Sequence, residues 1–305
     1  ISFTGSQVGI ITSNHHTRAR ILEIKGDRIR EELTKGNIVV IAGYQGVSVA
    51  KEITTLGRGG SDTTAVALAA ALNADKCEIM TDVDGVYTAN PQVVPNAKRL
   101  AEISYDEMLD LADSGAQILK ASAVEFAKRH KIKIELGSSF TGKVGTIITD
   151  AKLDRNRVTG ISSDENVILV TMRQAGNETV SEVINTLATR GVPVKGFWCF
   201  EDHCSFLVVR DHQDTTASIL KTVRKLSPDM TVEFDNQVAV LSISGTGINF
   251  GTDIMEKVTR IFAELKVKPL TYQLSETRLS FTISKDIVKK AVDKMHNILI
   301  LDQNR

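Results

Sequence analysis

Hydrophobic positions in the first half of the chain change period repeatedly. After a strand-like stretch, Val8-Gly9-Ile10-Ile11-Thr12, residues 27–35 alternate as an amphipathic helix that Gly36 closes. The unbroken apolar run Ile38-Val39-Val40-Ile41-Ala42 comes next. A helix stop followed by a short β-branched run predicts a strand covered on both faces, as in parallel sheets. Residues 65–72, from Ala65 to Leu72, have no polar face, which predicts a helix buried between layers. Residues 77–81 read as another strand and Asp84-Gly85 as a turn. Ser104, with Glu107 three residues on, reads as a capping box that opens a helix through Met108, Leu109 and Leu111. A further helix is expected over 117–130 and a strand over 133–136. Strands alternating with helices predict an α/β layered domain over residues 1–150.

Between 138 and 157 the pattern becomes Gly- and Thr-rich with mixed charge, which reads as a linker. Beyond it, over 151–305, the sequence repeats itself. The strand pattern at 167–172 returns at 238–243, and Val180, Val183, Ile184 and Leu187 return as Ile254, Val258, Ile261 and Leu265. Ser205-Phe206 returns as Ser280-Phe281, and each unit ends in a helix, over 215–225 and 287–299. The first strands are offset by 71 positions (238 minus 167) and the Ser-Phe strands by 75 (280 minus 205), so the second unit has the longer first loop. Each unit, of about seventy residues, reads as a split βαβ module. Such modules have open sheet edges, so pairing into a dimer that buries a small ligand between copies is expected, against the plainer reading of a merely structural pair.

The candidate chemistry sits just ahead of the apolar helix, in Thr55-Leu56-Gly57-Arg58-Gly59-Gly60-Ser61-Asp62-Thr63-Thr64. Glycines let the backbone approach a ligand, and a helix N-terminus offers unpaired N–H groups and partial positive charge. Arg58 adds a planar fork that fits a carboxylate or phosphate. The loop matches neither the P-loop nor the G-x-G-x-x-G spacing. The plain alternative is a tight turn with Ser61 or Asp62 as N-cap and Arg58 solvated.

Composition narrows the classes. The 305 residues are 42% hydrophobic and 24% charged, with 37 basic and 37 acidic residues, so there is no electrostatic footprint for nucleic acid or an anionic membrane. No apolar run approaches the ~20 residues that span a bilayer and no secretory signal opens the chain, so a cytoplasmic location is expected. Cys77, Cys199 and Cys204 are too few for a disulfide framework and are expected to be reduced. Cys199, His203 and Cys204 lack a second ligand pair, so no metal site is expected. The chain opens at Ile1 without methionine and enters a strand almost at once, so an upstream segment is expected to be missing.

Taken together, the stretch 55–64, the motif Thr81-Asp82-Val83-Asp84-Gly85-Val86-Tyr87-Thr88 with Pro91, and the tandem modules resemble the aspartate kinase family with its two ACT domains. The resemblance runs over nearly the whole chain and is tightest between 36 and 91. It implies an amino-acid-kinase-like α/β three-layer sandwich with a largely parallel sheet, followed by two ACT-like modules. The first would span 164–234 and the second 155–163 plus 235–305. The family transfers the γ-phosphoryl group of ATP to the side-chain carboxylate of L-aspartate, giving 4-phospho-L-aspartate for lysine, threonine and methionine biosynthesis. By resemblance Arg58 grips a carboxylate of aspartate and Gly59, Gly60 and Ser61 shape the site. Asp62 faces either the substrate ammonium or, as an N-cap, its own helix. Thr81, Asp82 and Tyr87 match the ATP site, and ATP implies Mg2+ with no direct protein ligand assigned. Lysine or threonine is the implied effector, and a homo-oligomer, a dimer through the ACT modules, the implied assembly.

Departures from the family pattern temper that expectation. The family's Lys-Phe-Gly-Gly-Thr strand and a substrate-binding glutamate are not in this sequence, so no catalytic residue is assigned and the chain alone is expected to be inactive while its parent protein is active. Gln92 and Gln117 stand where the family carries cations, and Gly137 where an Arg is common. Losing one preorganised charged donor commonly costs about 10²–10³ in rate. The effector loops depart as well: Arg173-Gln174-Ala175-Gly176-Asn177 and Gly245-Thr246-Gly247-Ile248-Asn249 lack the usual prolines, and Ser275-Glu276, with Arg278 and Ser280, keeps the family pattern. The alternative reading is a catalytically inactive homologue, an amino-acid-binding regulatory dimer that keeps the kinase fold.

Overall fold

A computed structural model describes residues 1–57, 59–116, 118–150, 157–225, 227–248 and 253–301. Arg58, Gln117 and Asn249 lie outside the described residues. The first half contains β1 (Ser2–Phe3), β2 (Ile10–Thr12), β3 (Ile21–Ile24), α1 (Asp27–Thr34), β4 (Val40–Ile41), β5 (Gln45–Ser48) and β6 (Ile53–Thr55). It continues through α2 (Gly60–Ala71), β7 (Cys77–Thr81), β8 (Glu102–Ser104), α3 (Tyr105–Asp113), α4 (Ala121–His130), β9 (Ile134–Ser138) and β10 (Val144–Thr149). Parallel and antiparallel pairs mix in its sheets, ordered β1-β4, β3-β2-β5-β6 and β7-β9-β10-β8. Helices α2, α3 and α4 bury Val66, Met108, Leu111, Ala123, Val124 and Ala127 against Ile79, Ile103, Ile134, Leu136 and Ile148 of the last sheet. The α/β layering expected from the alternating pattern is present.

The second half contains β11 (Arg157–Asp164), β12 (Val167–Arg173), α5 (Asn177–Thr189), β13 (Val194–Cys199), β14 (His203–Val209), α6 (Gln213–Val223) and β15 (Thr231–Asp235). Then come β16 (Val238–Thr246), α7 (Asp253–Leu265), β17 (Thr271–Leu274), β18 (Arg278–Ser284) and α8 (Val288–His296). Two antiparallel sheets result, β13-β14-β12-β15 and β11-β16-β18-β17. Each buries one face under its own helix pair: Phe206 lies in the first core and Phe281 in the second, and no side chain of either reaches solvent. Val167, Leu169 and Leu207 of one sheet meet Val238 and Val240 of the other.

Three expectations need correction. The run 38–42 is not buried: Ile38 is 83% and Val40 59% exposed, because β4 pairs with β1 alone among the described residues. The supposed linker 138–157 contains β10, which pairs parallel with β8 and antiparallel with β9 and buries Thr146 and Ile148. Its alternating β-branched residues outweigh its glycines. Gly137 leaves no room for a side chain, since a Cβ there would sit 2.3 Å from the Lys143 carbonyl at the β10 bulge. Finally, Cys199 and Cys204 are disulfide-bonded. They face each other across the β13–β14 hairpin with Cα atoms 4.2 Å apart, a pairing that sequence spacing does not reveal.

Candidate functional site

The glycine-rich loop enters α2 through backbone conformation alone. Gly57 and Gly59, on either side of Arg58 in sequence, both have positive φ, and Gly59 is the N-cap with no side chain capping it. Neither Ser61 nor Asp62 is therefore the N-cap, and the helix starts at Gly60. Gly59 is required by packing as well: a Cβ there would meet the Lys120 side chain at 2.9 Å. Thr64 ties the helix start to a second loop. Its hydroxyl donates to the Gly60 carbonyl at 2.8 Å and accepts from the Tyr44 N–H at 3.1 Å. Tyr44 itself holds a left-handed φ of 71°, which a non-glycine residue adopts only where its surroundings impose it.

The start of α4 lies beside the start of α2. Thr63 Oγ1 and Ser122 Oγ are 3.0 Å apart, and Lys120 is the N-cap of α4. Two helix N-termini thus converge, and no carboxylate among the described residues forms an ion pair with Lys120. Asp62 faces the same corner. Burial pushes its carboxyl up from the usual range, against the Lys120 backbone N–H, which favours the charged form. Sequence reasoning missed Lys120 and Tyr44. The glycine pair Gly43 and Gly46 was a usable signal for the second, whereas nothing in the sequence marks Lys120 as a neighbour of Gly59.

The second group lies at the carboxyl end of β7. Thr81 donates its hydroxyl to Asp82 Oδ1 at 3.0 Å, and its carbonyl accepts from the N–H and Oγ of Ser139 at 2.7 and 2.9 Å. The Asp82 carboxylate remains exposed. Asp84 is engaged: it accepts from Tyr87 Oη at 3.0 Å and pairs with Arg99 at 3.2 Å. That bond to Asp84 raises the Tyr87 phenol above its ordinary value. Thr81, Asp82 and Tyr87 thus lie on one short segment braced by Ser139 and Arg99, and no hydrogen bond among the described residues joins them to the α2 corner.

Ser275 and Glu276 form neither group. They lie in the tight turn between β17 and β18, where the Ser275 N–H donates to the Arg278 carbonyl at 2.8 Å and its hydroxyl accepts the Arg278 N–H at 3.0 Å. Just past that turn the second module meets the kinase-like half. Arg278 faces Asp110 at 3.8 Å and Ser114 at 3.5 Å, both on or next to α3. Buried Glu107 completes the expected capping box with Ser104, and its other oxygen accepts from Thr159 and, at 3.3 Å, from Thr246. Ala89 and Val94, directly after the Thr81–Thr88 segment in sequence, pack into the core around Leu241, Phe281 and Met295.

The chain as a whole matches known proteins closely in sequence and fold. Residues 1–138 match the model of the amino acid kinase family. Aspartokinase 2 of Bacillus subtilis is 38% identical over all of this chain and 76% of its own length. The aspartokinase of Corynebacterium glutamicum is 36% identical over 97% of this chain and 73% of its own. Among solved structures, E. coli aspartokinase III in complex with aspartate and ADP (R-state) superposes with a TM-score of 0.85 over 98% of this chain and 69% of that one, at 26% identity. The lysine and aspartate complex (T-state) of that enzyme gives 0.77 at the same identity and coverage. A glycine loop entering a buried helix, a β7 motif at the sheet's carboxyl end and two fused modules, matched over the full length by proteins of one activity, lead to one conclusion: this chain belongs to the aspartokinase family.

Proposed function

We propose that this chain serves an aspartate kinase reaction, transfer of the γ-phosphoryl group of ATP to the side-chain carboxylate of L-aspartate to give 4-phospho-L-aspartate. The observation that carries this reading is the likeness over 98% of the chain to a structure holding aspartate and ADP. A carboxylate nucleophile is ionised at neutral pH and needs no general base, so the obstacle is bringing two anions together. Convergent N-termini of α2 and α4 supply partial positive charge, Lys120 a full one and Arg58 a second. Gly59 and Gly60 let the backbone approach the substrate, with Ser61 and Asp62 beside them. Asp62 faces the substrate ammonium.

Thr81, Asp82 and Tyr87 hold the nucleotide at the sheet's carboxyl end, where open α/β sheets bind ligands. No group of three or more His, Cys, Asp or Glu side chains among the described residues could cage a metal. A magnesium ion that keeps its waters and takes phosphate oxygens fits this surface, with Asp82 the carboxylate of the motif that pairs with no cation among the described residues. When bound it would neutralise phosphate charge. The ACT-like modules take lysine or threonine as effector, with Ser275 and Glu276 near the effector site, and pair the chain into a homodimer of a cytoplasmic enzyme for lysine, threonine and methionine synthesis.

Calorimetric titration with ATP and with L-aspartate, together with trapping of the acyl phosphate by hydroxylamine, tests the reading. Arg58→Ala is expected to weaken aspartate binding far more than ATP binding. Equal loss of both would reassign the arginine, and an intact protein that binds neither substrate would remove the proposal.

A further inference from the structure

Thr88 ends the segment proposed to hold the nucleotide, and all its polar atoms are engaged. Its N–H donates to the Lys98 carbonyl at 2.9 Å, and its carbonyl accepts from the Ile161 N–H of β11 at 2.8 Å. Its hydroxyl oxygen accepts the Lys98 N–H at 2.9 Å and lies 2.8 Å from His296 Nε2 on α8. Two of these four contacts go to Lys98 of the kinase-like half, and one each to the sheet and the final helix of the second module. His296 is 0% exposed although 208 positions separate it from Thr88.

The Thr88 oxygen accepts the Lys98 N–H with one lone pair, and the hydroxyl either donates to Nε2 or accepts from it with the other, so in both tautomers Nε2 is bonded and Nδ1 is left over. Nδ1 is buried with no hydrogen-bond partner among the described residues. A side chain selected only to fill this core would avoid that cost, because a phenylalanine packs comparably and leaves no polar atom unpaired. The retained nitrogen therefore has to be explained by the bond that Nε2 makes.

We propose that His296 is a positioning residue, which through the Thr88 hydroxyl clamps the nucleotide segment onto the second ACT-like module, so that a shift of that module changes ATP affinity. The clamp rests on the nucleotide reading of Thr81, Asp82 and Tyr87. Its mechanical basis is continuity: Ala89 and Val94, next along the chain, are already part of that module's core, whereas Tyr87 and Asp84 stand outside it. Thr88 is the last residue before the chain leaves the site and enters the module.

The test compares the wild-type chain with His296→Phe, which fills the space without the bond, and with His296→Gln, whose amide can restore it. Calorimetry with ATP and with L-aspartate is read beside amide hydrogen exchange over residues 82–88 and the urea midpoint. His296→Phe is expected to weaken ATP binding roughly tenfold, the order of one lost hydrogen bond, with aspartate affinity unchanged and faster exchange over 82–88. His296→Gln should recover most of the ATP affinity. Unchanged ATP affinity in His296→Phe, or ATP and aspartate affinities that fall together with stability, would overturn the clamp alone. A wild-type chain that binds aspartate but no ATP would remove the nucleotide reading and the clamp with it.

Discussion

The two ACT-like modules are copies in their cores and differ in their attachments. Phe206 and Phe281 fill equivalent buried positions, and the strands beneath them carry matching hydroxyl pairs, Thr171 with Ser205 at 3.0 Å and Ser242 with Ser280 at 2.9 Å. The second module shares its core with Ala89 and Val94 and holds α3 through Thr159, Thr246 and Arg278. The first reaches the kinase-like half through lighter contacts, Lys195 Nζ to the Asp113 carbonyl at 3.5 Å and Arg18 to His212 at 3.3 Å. One copy is built into the catalytic half, and the other is better placed to move against it.

Matched truncations of the two cores should break the symmetry most strongly. Phe281→Ala and Phe206→Ala each remove a fully buried ring, and each is expected to cost about 3–5 kcal/mol in urea unfolding. Phe281 also stacks edge-on with Phe262 at 5.1 Å and Tyr272 at 5.6 Å, which places it towards the upper end of that range. ATP affinity is the discriminating measurement: it should fall in Phe281→Ala and stay unchanged in Phe206→Ala. Equal effects on ATP would mean that the attachments described above carry no coupling.

A smaller contrast comes from the attachments themselves. Glu107→Ala removes a capping box and leaves Thr159 and Thr246 hydroxyls without an acceptor in a buried interface, so a loss of about 2–4 kcal/mol is expected. Lys195→Ala removes a partly exposed pair with Asp164 and should cost about 1 kcal/mol or less. Thermal unfolding of both variants reads this directly. Comparable losses would show the first module to be held as firmly as the second.

What the sequence reveals depends on how local the controlling interaction is. The Ser104 and Glu107 capping box, the α2 helix and the tandem Ser-Phe strands are set by residues a few positions apart, and each is present. The exposure of Ile38 and Val40 depends on which strand pairs beside them, so an apolar run alone could not settle it. The β10 strand hid behind Gly142 and Gly145, punctuation that usually marks a loop. Within the site, Gly59, Thr81 and Tyr87 stand out by motif, whereas Lys120 and Ser139 enter only because α4 and β9 fold back beside them. His296 is the extreme case, since one histidine on an apolar helix face gives no hint of a partner 208 positions away.

That histidine also makes the two modules differ in acid. Burial lowers the His296 pKa below its ordinary 6.5, Lys98 opposes protonation too, and Asp293 one turn back on α8 works in the other direction. At the offset of 75 that relates the Ser-Phe strands (296 minus 75), the first module carries Lys221, which is exposed. With the folded value depressed, the unfolded chain binds more protons between the folded value and 6.5, so the contribution of His296 is complete above about pH 6.5 and is lost as pH falls through that window. A single site limits the slope to about 1.4 kcal/mol per pH unit. Asp62 and Asp110, both held above the usual carboxylate range by burial, also titrate in acid, so the informative quantity is the wild-type stability minus that of His296→Gln. Urea midpoints of the two proteins should converge as the pH is lowered from 7 towards 5, because the wild type alone loses the neutral imidazole. Curves that stay parallel over that range would mean that the imidazole keeps one protonation state throughout, and that the second module owes its distinct behaviour to Glu107 and Arg278 instead.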